Sequence, residues 1–386
     1  MPAVVKHLVH VFSTFAPGGP QRRTADIFNH LPPRFRHTVL STNNDLSARE
    51  LLKADAPVEY ANVPKNARGR VRRGELRKLL VQQKPDLIIT YNWGATEAIQ
   101  AIGIRRFCPI LHAQDGFGPE EATYQIARRL WMRRVLYRLA EAVVVPSQTL
   151  EKIAVETWWL PRRRVLYIPN GIDINKYAGG NDAARAAFRS EYSIPESGII
   201  VGMVAHLRAE KNPARLLRAF ASAPDANSYL IFAGDGPLRA ELESTAKLLN
   251  IQSRVRFCGH LQNPAAAYSA FDIFALSSDT EQMPISVLEA MGSGIPVVST
   301  NVGDIYSMVA PANQPFITKL GDDAAYASAL AVILKDLILQ KRIGAANRAR
   351  CVSHFSLEQQ NNAYCDLYDR FSRPRSEIWR SEQNRN

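Results

Sequence analysis

The sequence lacks the features that would place it outside the ordinary folded proteins. No apolar run approaches the roughly 18 to 20 residues needed to cross a bilayer, and Ala329–Leu339 is interrupted by Lys335 and Asp336. The four cysteines are far apart without CxxC spacing, so we expect buried thiols rather than disulfides or a zinc site. The first twelve residues run into a strand-like pattern without a cleavage site, which predicts a cytoplasmic protein without a signal peptide.

The first half of the chain carries all of the excess positive charge. Residues 1–178 contain 27 Lys and Arg against 15 Asp and Glu, whereas residues 179–386 contain 21 of each. Three clusters carry much of it: Lys65–Lys78, Arg128–Arg138 and Arg162–Arg164. Such a field attracts polyanions or an anionic membrane face.

The second cluster also has Trp131, Val135 and several leucines between its arginines at helical spacing, which suits a helix lying on lipid headgroups. A solvated helix face with its apolar stripe packed inward explains a single cluster equally well. Nucleic acid is disfavoured as a partner, because no RNP-like motif, zinc-finger spacing or recognition helix accompanies the charge.

Short runs rich in Val and Ile alternate with helical patterns along the chain. The predicted strands are Lys6–Phe12, Asp86–Tyr91, Pro109–His112, Ala142–Val145, Ile199–Ala205, Tyr229–Ala233, Ile273–Leu276 and Pro296–Ser299. Continuous apolar strands between helices indicate parallel sheets covered on both faces. We therefore expect two doubly wound α/β domains joined by a linker at Asn170–Asp182, with the site in the cleft between them.

A paired glycine follows the first strand. Gly18 and Gly19 precede a predicted helix at Arg22–Leu31, and backbone amides at such a turn can approach an anion, although an ordinary turn would use the same residues. The pattern is not GxGxxG, and the second strand ends in Ser41 and Thr42 instead of an acidic residue. Both facts argue against a nicotinamide dinucleotide.

Two segments of the second half carry more specific signals. Arg208 and Lys211 lie on the loop after a buried strand and before a helix that starts at Pro213, where two cations suit a diphosphate. The alternative is that Arg208 and Lys211 are only surface charges at the start of a helix. Cations are unfavourable there, because the N-terminus of a helix carries a partial positive charge.

The second segment runs from Ser277 to Thr300. With Pro284 as first helical residue and a helix at Ile285–Met291, Glu281 precedes the helix and Glu289 lies on its second turn. Carboxylates accept hydrogen bonds from vicinal hydroxyls of ribose or hexose, and the amides at the helix start can meet a phosphate oxygen. Alternatively, Glu281 is only a first-turn partner of the helix dipole, and Glu289 is only a solvated residue of the helix.

Together these motifs resemble a retaining glycosyltransferase of family 4 with the GT-B fold. The match consists of the glycine pair, the segments HLRAEKNP, AGDGPLRAEL and VRFCGHL, and the two glutamates eight positions apart, in the family's order. The resemblance implies two Rossmann-like doubly wound parallel-sheet α/β domains facing a central cleft. Domain 1–170 would bind the acceptor, domain 171–365 would bind the nucleotide sugar, and residues 366–386 would form a helix crossing back and a frayed tail.

The resemblance also implies residue roles. Arg208 and Lys211 would hold the diphosphate, Glu281 the donor sugar, and Glu289 the ribose. The implied donor site comprises Gly18, Gly19, Arg208, Lys211, His260, Leu261, Glu281, Met283, Pro284, Ile285 and Glu289. Arg208, Lys211 and Glu281 would also be catalytic.

The acceptor side departs from the family pattern. Family members often have a His after the fourth strand of the first domain, whereas here the position falls on Asp115, with His112 earlier on the strand. Both stay candidates for the catalytic acceptor-side residue.

No DxD motif occurs, so we expect no metal and no cofactor. The expected partners are a nucleotide sugar, a glycan or lipid-linked acceptor, and an anionic membrane at the inner face of the cell, in bacterial surface polysaccharide assembly. The alternatives are a GT-B nucleotide-sugar epimerase or hydrolase, and a non-catalytic sugar-binding protein.

Overall fold

The chain divides into two compact units. The computed structural model describes residues 5–65, 71–103, 106–121, 124–178, 181–223 and 227–372. Unit 1 comprises Met1–Asn170 and Gln359–Asn386, and unit 2 comprises Gly171–Glu358.

Unit 1 contains a sheet of seven parallel strands in the order β3-β2-β1-β4-β5-β6-β7. The strands are β1 Lys6–Phe12, β2 Phe35–Ser41, β3 Val58–Asn62, β4 Leu87–Tyr91, β5 Ile110–Ala113, β6 Ala142–Val145 and β7 Val165–Tyr167. The helices that precede unit 2 are α1 Gly19–His30, α2 Arg73–Gln83, α3 Thr96–Ile102, α4 Ala127–Leu136 and α5 Gln148–Glu156. Both faces of this sheet are buried: Val9 and Val11 belong to one apolar cluster, and Leu8 and Phe12 to another.

Unit 2 contains a sheet of six parallel strands in the order β10-β9-β8-β11-β12-β13. The strands are β8 Ile199–Val204, β9 Ser228–Ala233, β10 Val255–Gly259, β11 Ile273–Leu276, β12 Val297–Thr300 and β13 Ile317–Thr318. The helices are α6 Asp182–Glu191, α7 Pro213–Ser222, α8 Arg239–Leu248, α9 Ala265–Ala270, α10 Ile285–Gly292, α11 Ile305–Met308, α12 Asp323–Lys335 and α13 Leu337–His354. The two parallel sheets confirm the predicted doubly wound α/β class.

The last described helix, α14 (Leu357–Phe371), belongs mainly to unit 1. Tyr364, Leu367 and Tyr368 are buried against the Leu8 and Phe12 face of the sheet. Unit 1 takes in the chain again from Gln359, seven residues before position 366, where the crossing helix was expected to start.

The predicted linker Asn170–Asp182 is in part a packed segment. Ile172 and Tyr177 are buried in the apolar core of unit 2, and Asn181 caps α6 by accepting a hydrogen bond from the Ala184 backbone N–H. The Asn, Gly and Asp residues therefore indicated a turn correctly. The buried side chains of Ile172 and Tyr177 pack most of this segment into unit 2.

Two helix starts differ from the prediction. Helix α1 begins at Gly19, earlier than the predicted Arg22, because Pro20 fits the first helical turn. Pro284 is the N-cap of α10 and not its first helical residue, which is Ile285. Within the described ranges, no helix combines the length and the apolar character that crossing a membrane requires.

In each sheet the strand order reverses at one point, between β1 and β4 in unit 1 and between β8 and β11 in unit 2. Ligands of doubly wound sheets bind beyond the carboxyl ends of the strands at this reversal. The loops after β8 and β11 carry Lys211 and Glu281, and the loops after β1 and β4 carry Ser13 and Asn92.

Candidate functional site

The loop after β8 presents two cations. Arg208 precedes a single 3₁₀ turn, Ala209–Lys211, so that the Lys211 backbone N–H donates to the Arg208 carbonyl at 3.0 Å. The Arg208 side chain is 44% exposed, and its Nε lies 3.1 Å from Glu210 Oε1. Arg208 is therefore accessible but already paired with a carboxylate from its own loop.

Lys211 meets Glu281 across the strand reversal. Lys211 Nζ lies 2.5 Å from Glu281 Oε1, and the Ser278 hydroxyl donates to the same oxygen at 2.7 Å. The side chains of Lys211 and Glu281 are 21% and 10% exposed. The structure thus brings together two residues that are 70 positions apart in the sequence.

A polar network fixes the two loops to each other. Asn212 has a left-handed backbone, caps α7 and donates from Nδ2 to both carboxylate oxygens of Asp279. Arg215 Nη1 donates to the Ser277 carbonyl at 2.8 Å and to Asp279 Oδ1 at 2.6 Å. The Ser277 hydroxyl closes the network by donating to the Asn212 carbonyl at 2.8 Å. These partners hold the Lys211 and Glu281 backbones in place.

Two glycines allow the backbone of neighbouring loops to pack closely against the loops of this network. A Cβ on Gly234 would lie 1.9 Å from the Ala205 carbonyl oxygen, and one on Gly303 would lie 2.6 Å from the Glu281 carbonyl oxygen. Both glycines also have positive φ, of 151° and 56°. A side chain at either position would displace a loop of the site.

Helix α10 carries the second glutamate of the pair. Val287, Leu288 and Met291 are fully buried, and Glu289 is buried as well, with 4% exposure. Glu289 Oε1 accepts a hydrogen bond from the Tyr177 hydroxyl at 2.5 Å. Tyr177 is a partner that the sequence pattern did not indicate.

The remaining predicted residues of unit 2 lie around these loops. Met283 and Pro284 are buried just ahead of α10, where first-turn N–H groups have no partner within the helix. Burial and the charge of Arg208 lower the pKa of His206, and the charge of His260 lowers it further. His260 is exposed, and the neighbouring Leu261 packs against the unit 2 core.

Gly18 and Gly19 lie in unit 1, at the start of α1. Gly18 has extended backbone angles, so its conformation does not require glycine. A Cβ on Gly19 would meet no atom within 4 Å, and both residues are exposed. The space beside Gly19 is therefore open, whereas a Cβ on Gly18 would lie 2.9 Å from Gln21 Oε1.

The two acceptor-side candidates have different environments. His112 lies on β5 with no exposure, and its ring nitrogens are within 2.8 Å of the Thr90 hydroxyl and 3.3 Å of Gln114 Oε1. Burial lowers its pKa to about 3, so the ring is neutral. These contacts make His112 a core residue of the sheet.

Asp115 follows the end of β5 and is held by two polar side chains. Arg23 of α1 forms an ion pair with Asp115 Oδ1, and Asn92 donates from Nδ2 to Oδ2 at 3.2 Å. Asn92 also accepts the Asp115 backbone N–H at 2.8 Å. Burial alone would lower the pKa of Arg23, but the Asp115 carboxylate raises it above its ordinary value.

The predicted residues thus form two groups. Lys211 and Glu281 pair at the strand reversal of unit 2, with Arg208 on the same loop as Lys211, whereas Asp115 lies at the strand ends of unit 1. Sequence reasoning missed Ser278, although it stands three residues before Glu281 in a polar loop. Within the described residues, no three His, Cys, Asp or Glu side chains form a cluster that could hold a metal ion.

Two family models cover most of the chain. The model described as glycosyl transferases group 1 matches residues 184–350, and the model described as glycosyltransferase family 4 matches residues 17–176. The chain belongs to the family 4-type glycosyltransferases with the GT-B fold.

Similar proteins include bacterial members of this family. N-acetyl-alpha-D-glucosaminyl L-malate synthase of Bacillus anthracis is 29% identical over 47% of this chain and 48% of its own length. The chain therefore spans about half the length of that relative, and the same holds for a Rhizobium meliloti lipopolysaccharide core glycosyltransferase. An Escherichia coli enzyme, UDP-Gal:alpha-D-GlcNAc-diphosphoundecaprenol alpha-1,3-galactosyltransferase, is 23% identical over 76% of this chain and 77% of its length.

A solved structure supports the fold over nearly the whole chain. HepE of Anabaena, in complex with UDP and glucose, has a TM-score of 0.80 at 22% identity and covers 94% of this chain and 99% of its own. At 22% identity this structural similarity establishes the fold alone.

Proposed function

We propose that the protein transfers a sugar residue from a nucleoside diphosphate sugar to a glycan or lipid-linked acceptor, with retention of anomeric configuration, in surface polysaccharide synthesis. The observation that supports this most is the juxtaposition of Lys211 and Glu281 beside Arg208 at the strand reversal of unit 2. The family membership supports the same reaction. UDP is the first nucleotide to test, because the solved HepE complexes contain UDP or UDP-glucose.

The two cations would serve the leaving group. As the bond between the sugar anomeric carbon and the diphosphate oxygen breaks, negative charge grows on the diphosphate. Arg208 and Lys211 would exchange their present partners, Glu210 and Glu281, for phosphate oxygens. Charge-assisted hydrogen bonds of this kind stabilise the developing charge without any metal ion.

The carboxylates would orient the donor. Glu281, released from Lys211, would accept hydrogen bonds from hydroxyls of the transferred sugar, while Glu289 would accept them from the ribose. The first-turn N–H groups of α10, from Ile285 on, would meet a phosphate oxygen. His260 and Leu261 would lie beside the base, as the family resemblance implies.

On the acceptor side we favour Asp115 over the buried His112. Asp115 is held by Arg23 and Asn92 beyond the end of β5, where ligands of such sheets bind. The acceptor oxygen would bond to the anomeric carbon on the face from which the diphosphate departs, and its proton would pass to the departing phosphate oxygen. Gly18 and Gly19 would leave room for an anionic group at the start of α1.

We also propose that the protein acts without a metal or cofactor and associates peripherally with the cytoplasmic membrane face. The absence of a DxD motif and the positive charge of residues 1–178 support these two points.

The test is an assay of nucleotide sugars against lipid-linked and soluble acceptors, with products identified by mass and anomeric configuration. We expect transfer from at least one donor, and a loss of about 100-fold or more in Arg208→Ala with unchanged folding. Donor turnover without acceptor, at the rate seen with acceptor, would instead support a hydrolase or epimerase. Normal transfer by Arg208→Ala would contradict the diphosphate assignment.

A further inference from the structure

Helix α4 and the end of α5 together form an exposed aromatic and basic surface on unit 1. Trp131 and Val135 of α4 are 62% and 56% exposed, and Trp159, just after α5, is 52% exposed. We call Trp131, Arg134, Val135, Arg138 and Trp159 the tryptophan face. The leucines of the same cluster, Leu130, Leu136 and Leu139, pack instead against the unit 1 core.

Arginines hold the tryptophan face together. The Arg134 guanidinium lies 3.5 Å from the centre of the Trp159 ring and 5.9 Å from that of Trp131, and its Nε donates to the Thr157 carbonyl at 3.0 Å. Arg138 donates to the Trp159 carbonyl at 2.8 Å. The two exposed indoles are therefore fixed by cation–π contacts and hydrogen bonds between segments more than 20 residues apart.

The backbone of Trp159 has a strained conformation. Its φ is 57°, in the left-handed region that favours Gly or Asn, at the position that ends a helix. The flanking hydrogen bonds, from Trp158 N–H to the Ile153 carbonyl and from Leu160 N–H to the Ala154 carbonyl, are those of a helix C-cap. Folding alone would favour a glycine here, so a half-exposed indole in a strained backbone points to a role in binding.

The positive charge around the tryptophan face indicates an anionic partner. Residues 124–164 contain nine Lys and Arg against three Glu, and two of those glutamates are paired, Glu141 with Arg106 and Glu151 with Arg162. Arg128 lies one turn before Trp131 and is exposed, as is Arg163 beyond Trp159. Indoles and aliphatic side chains ringed by cations match the headgroup region of an anionic bilayer.

We propose that the tryptophan face docks unit 1 on an anionic phospholipid bilayer, with Trp131, Val135 and Trp159 inserted at headgroup depth and Arg128 and Arg163 on lipid phosphates. The inference rests on the proposed function in one respect, because a docked enzyme would meet a lipid-linked acceptor at the membrane. The docking itself requires only the described surface.

Co-sedimentation of the full chain with vesicles tests the proposal. We expect binding to vesicles of phosphatidylcholine and phosphatidylglycerol in equal parts, much weaker binding to pure phosphatidylcholine, and loss of binding in high salt. Trp131→Ala with Trp159→Gly should weaken partitioning by about tenfold or more through the lost apolar contact. Arg128→Gln with Arg163→Gln should weaken it about 25-fold, at about fivefold for each cation.

Matched controls on unit 2 separate this surface from general effects. Tyr306→Ala removes an aromatic residue that is 45% exposed, and Arg342→Gln removes an exposed charge, so both should bind vesicles like the unchanged protein. Trp159→Gly should not lower the urea midpoint, because glycine relieves the left-handed strain. Any loss of binding in that variant is then not a loss of folding.

Each outcome decides one point. Unchanged vesicle binding by the two tryptophan substitutions, or no binding to anionic vesicles by the original chain, would overturn the proposal. Binding of a soluble oligosaccharide that the tryptophan substitutions abolish, with vesicle binding intact, would assign the surface to glycan instead. Transfer to a soluble acceptor should persist in all these variants, and its absence in the original chain would count against the proposed function alone.

Discussion

Lys211 and Glu281 form an ion pair, 2.5 Å from Nζ to Oε1, where the strand order of unit 2 reverses. The pair joins the two loops that carry the site, and Ser278 shares the same glutamate oxygen. In the proposed reaction the two side chains separate, the lysine toward phosphate and the glutamate toward sugar hydroxyls.

Substituting each partner should therefore have different effects. Lys211→Met should weaken binding of a nucleoside diphosphate by about 10- to 100-fold, because it removes a charged hydrogen bond to phosphate. Glu281→Gln should leave that affinity within about threefold yet lower the transfer rate, since the sugar is held less firmly. Calorimetry with UDP and rate measurements with the sugar donor check both values. Equal loss of UDP affinity in the two variants would contradict the division of roles.

Glu210 competes with phosphate for Arg208. Its carboxylate lies 3.1 Å from Arg208 Nε, and Arg208 is 44% exposed. Glu210→Gln should tighten UDP binding by about two- to fivefold, the range of an exposed ion pair. Glu243→Gln, which removes the partner of Arg239 on α8, is the control and should leave the affinity unchanged. Weaker binding after Glu210→Gln would contradict the competition.

The Tyr177 hydroxyl orients Glu289, to which it donates at 2.5 Å within the unit 2 core. Tyr177→Phe keeps the ring and removes the hydroxyl, so we expect the KM for the donor to rise about three- to tenfold with little change in kcat. Tyr326→Phe is a matched control, because the buried Tyr326 hydroxyl has no hydrogen-bond partner among the residues that the structure describes. If Glu289 binds ribose, a donor lacking the ribose hydroxyls should show no difference between Tyr177→Phe and the original chain.

Buried histidines make unit 1 sensitive to acid. Burial lowers the pKa of His37 and of His112 to about 3, from an ordinary value of 6.5. Below pH 6.5 the unfolded chain binds protons that the folded chain does not, so stability falls as the pH falls. From pH 7 to pH 5 we expect a loss of about 2 kcal/mol for each of these histidines.

Tryptophan fluorescence during urea unfolding checks this loss, because the tryptophans that the structure describes, Trp93, Trp131, Trp158 and Trp159, all belong to unit 1. His112→Gln should flatten the pH dependence by about 2 kcal/mol over the same interval, whatever its effect on stability at pH 7. An unchanged slope in that variant would show that His112 is not the group being titrated.

Most interior strands were predictable and the edge strands were not. The predicted Lys6–Phe12, Ala142–Val145 and Ile273–Leu276 match β1, β6 and β11, because strands buried on both faces are continuous apolar runs. The predicted strands do not include the four edge strands, β3, β7, β10 and β13, or the bounds of the interior strand β2, of which only the end at Ser41 and Thr42 was used. An edge strand such as Val58–Asn62 has one neighbour and exposed side chains, so its sequence lacks that run.

The site was predictable where it depends on loops after apolar strands. Arg208, Lys211 and Glu281 lie on such loops, and parallel topology brings their loops together. Tyr177 could not be predicted, because its contact with Glu289 joins residues 112 positions apart through core packing that leaves no local pattern. The same applies to Arg23, whose partner Asp115 lies 92 positions away.

Titration calorimetry with UDP and other nucleoside diphosphates tests the central claim most directly. The account predicts that the full chain binds at least one of them, and that Arg208→Ala combined with Lys211→Met reduces the affinity by at least about 100-fold while the urea midpoint is retained. No binding of any nucleoside diphosphate, or equal affinity in the double variant, would contradict the assignment of these two cations to a diphosphate.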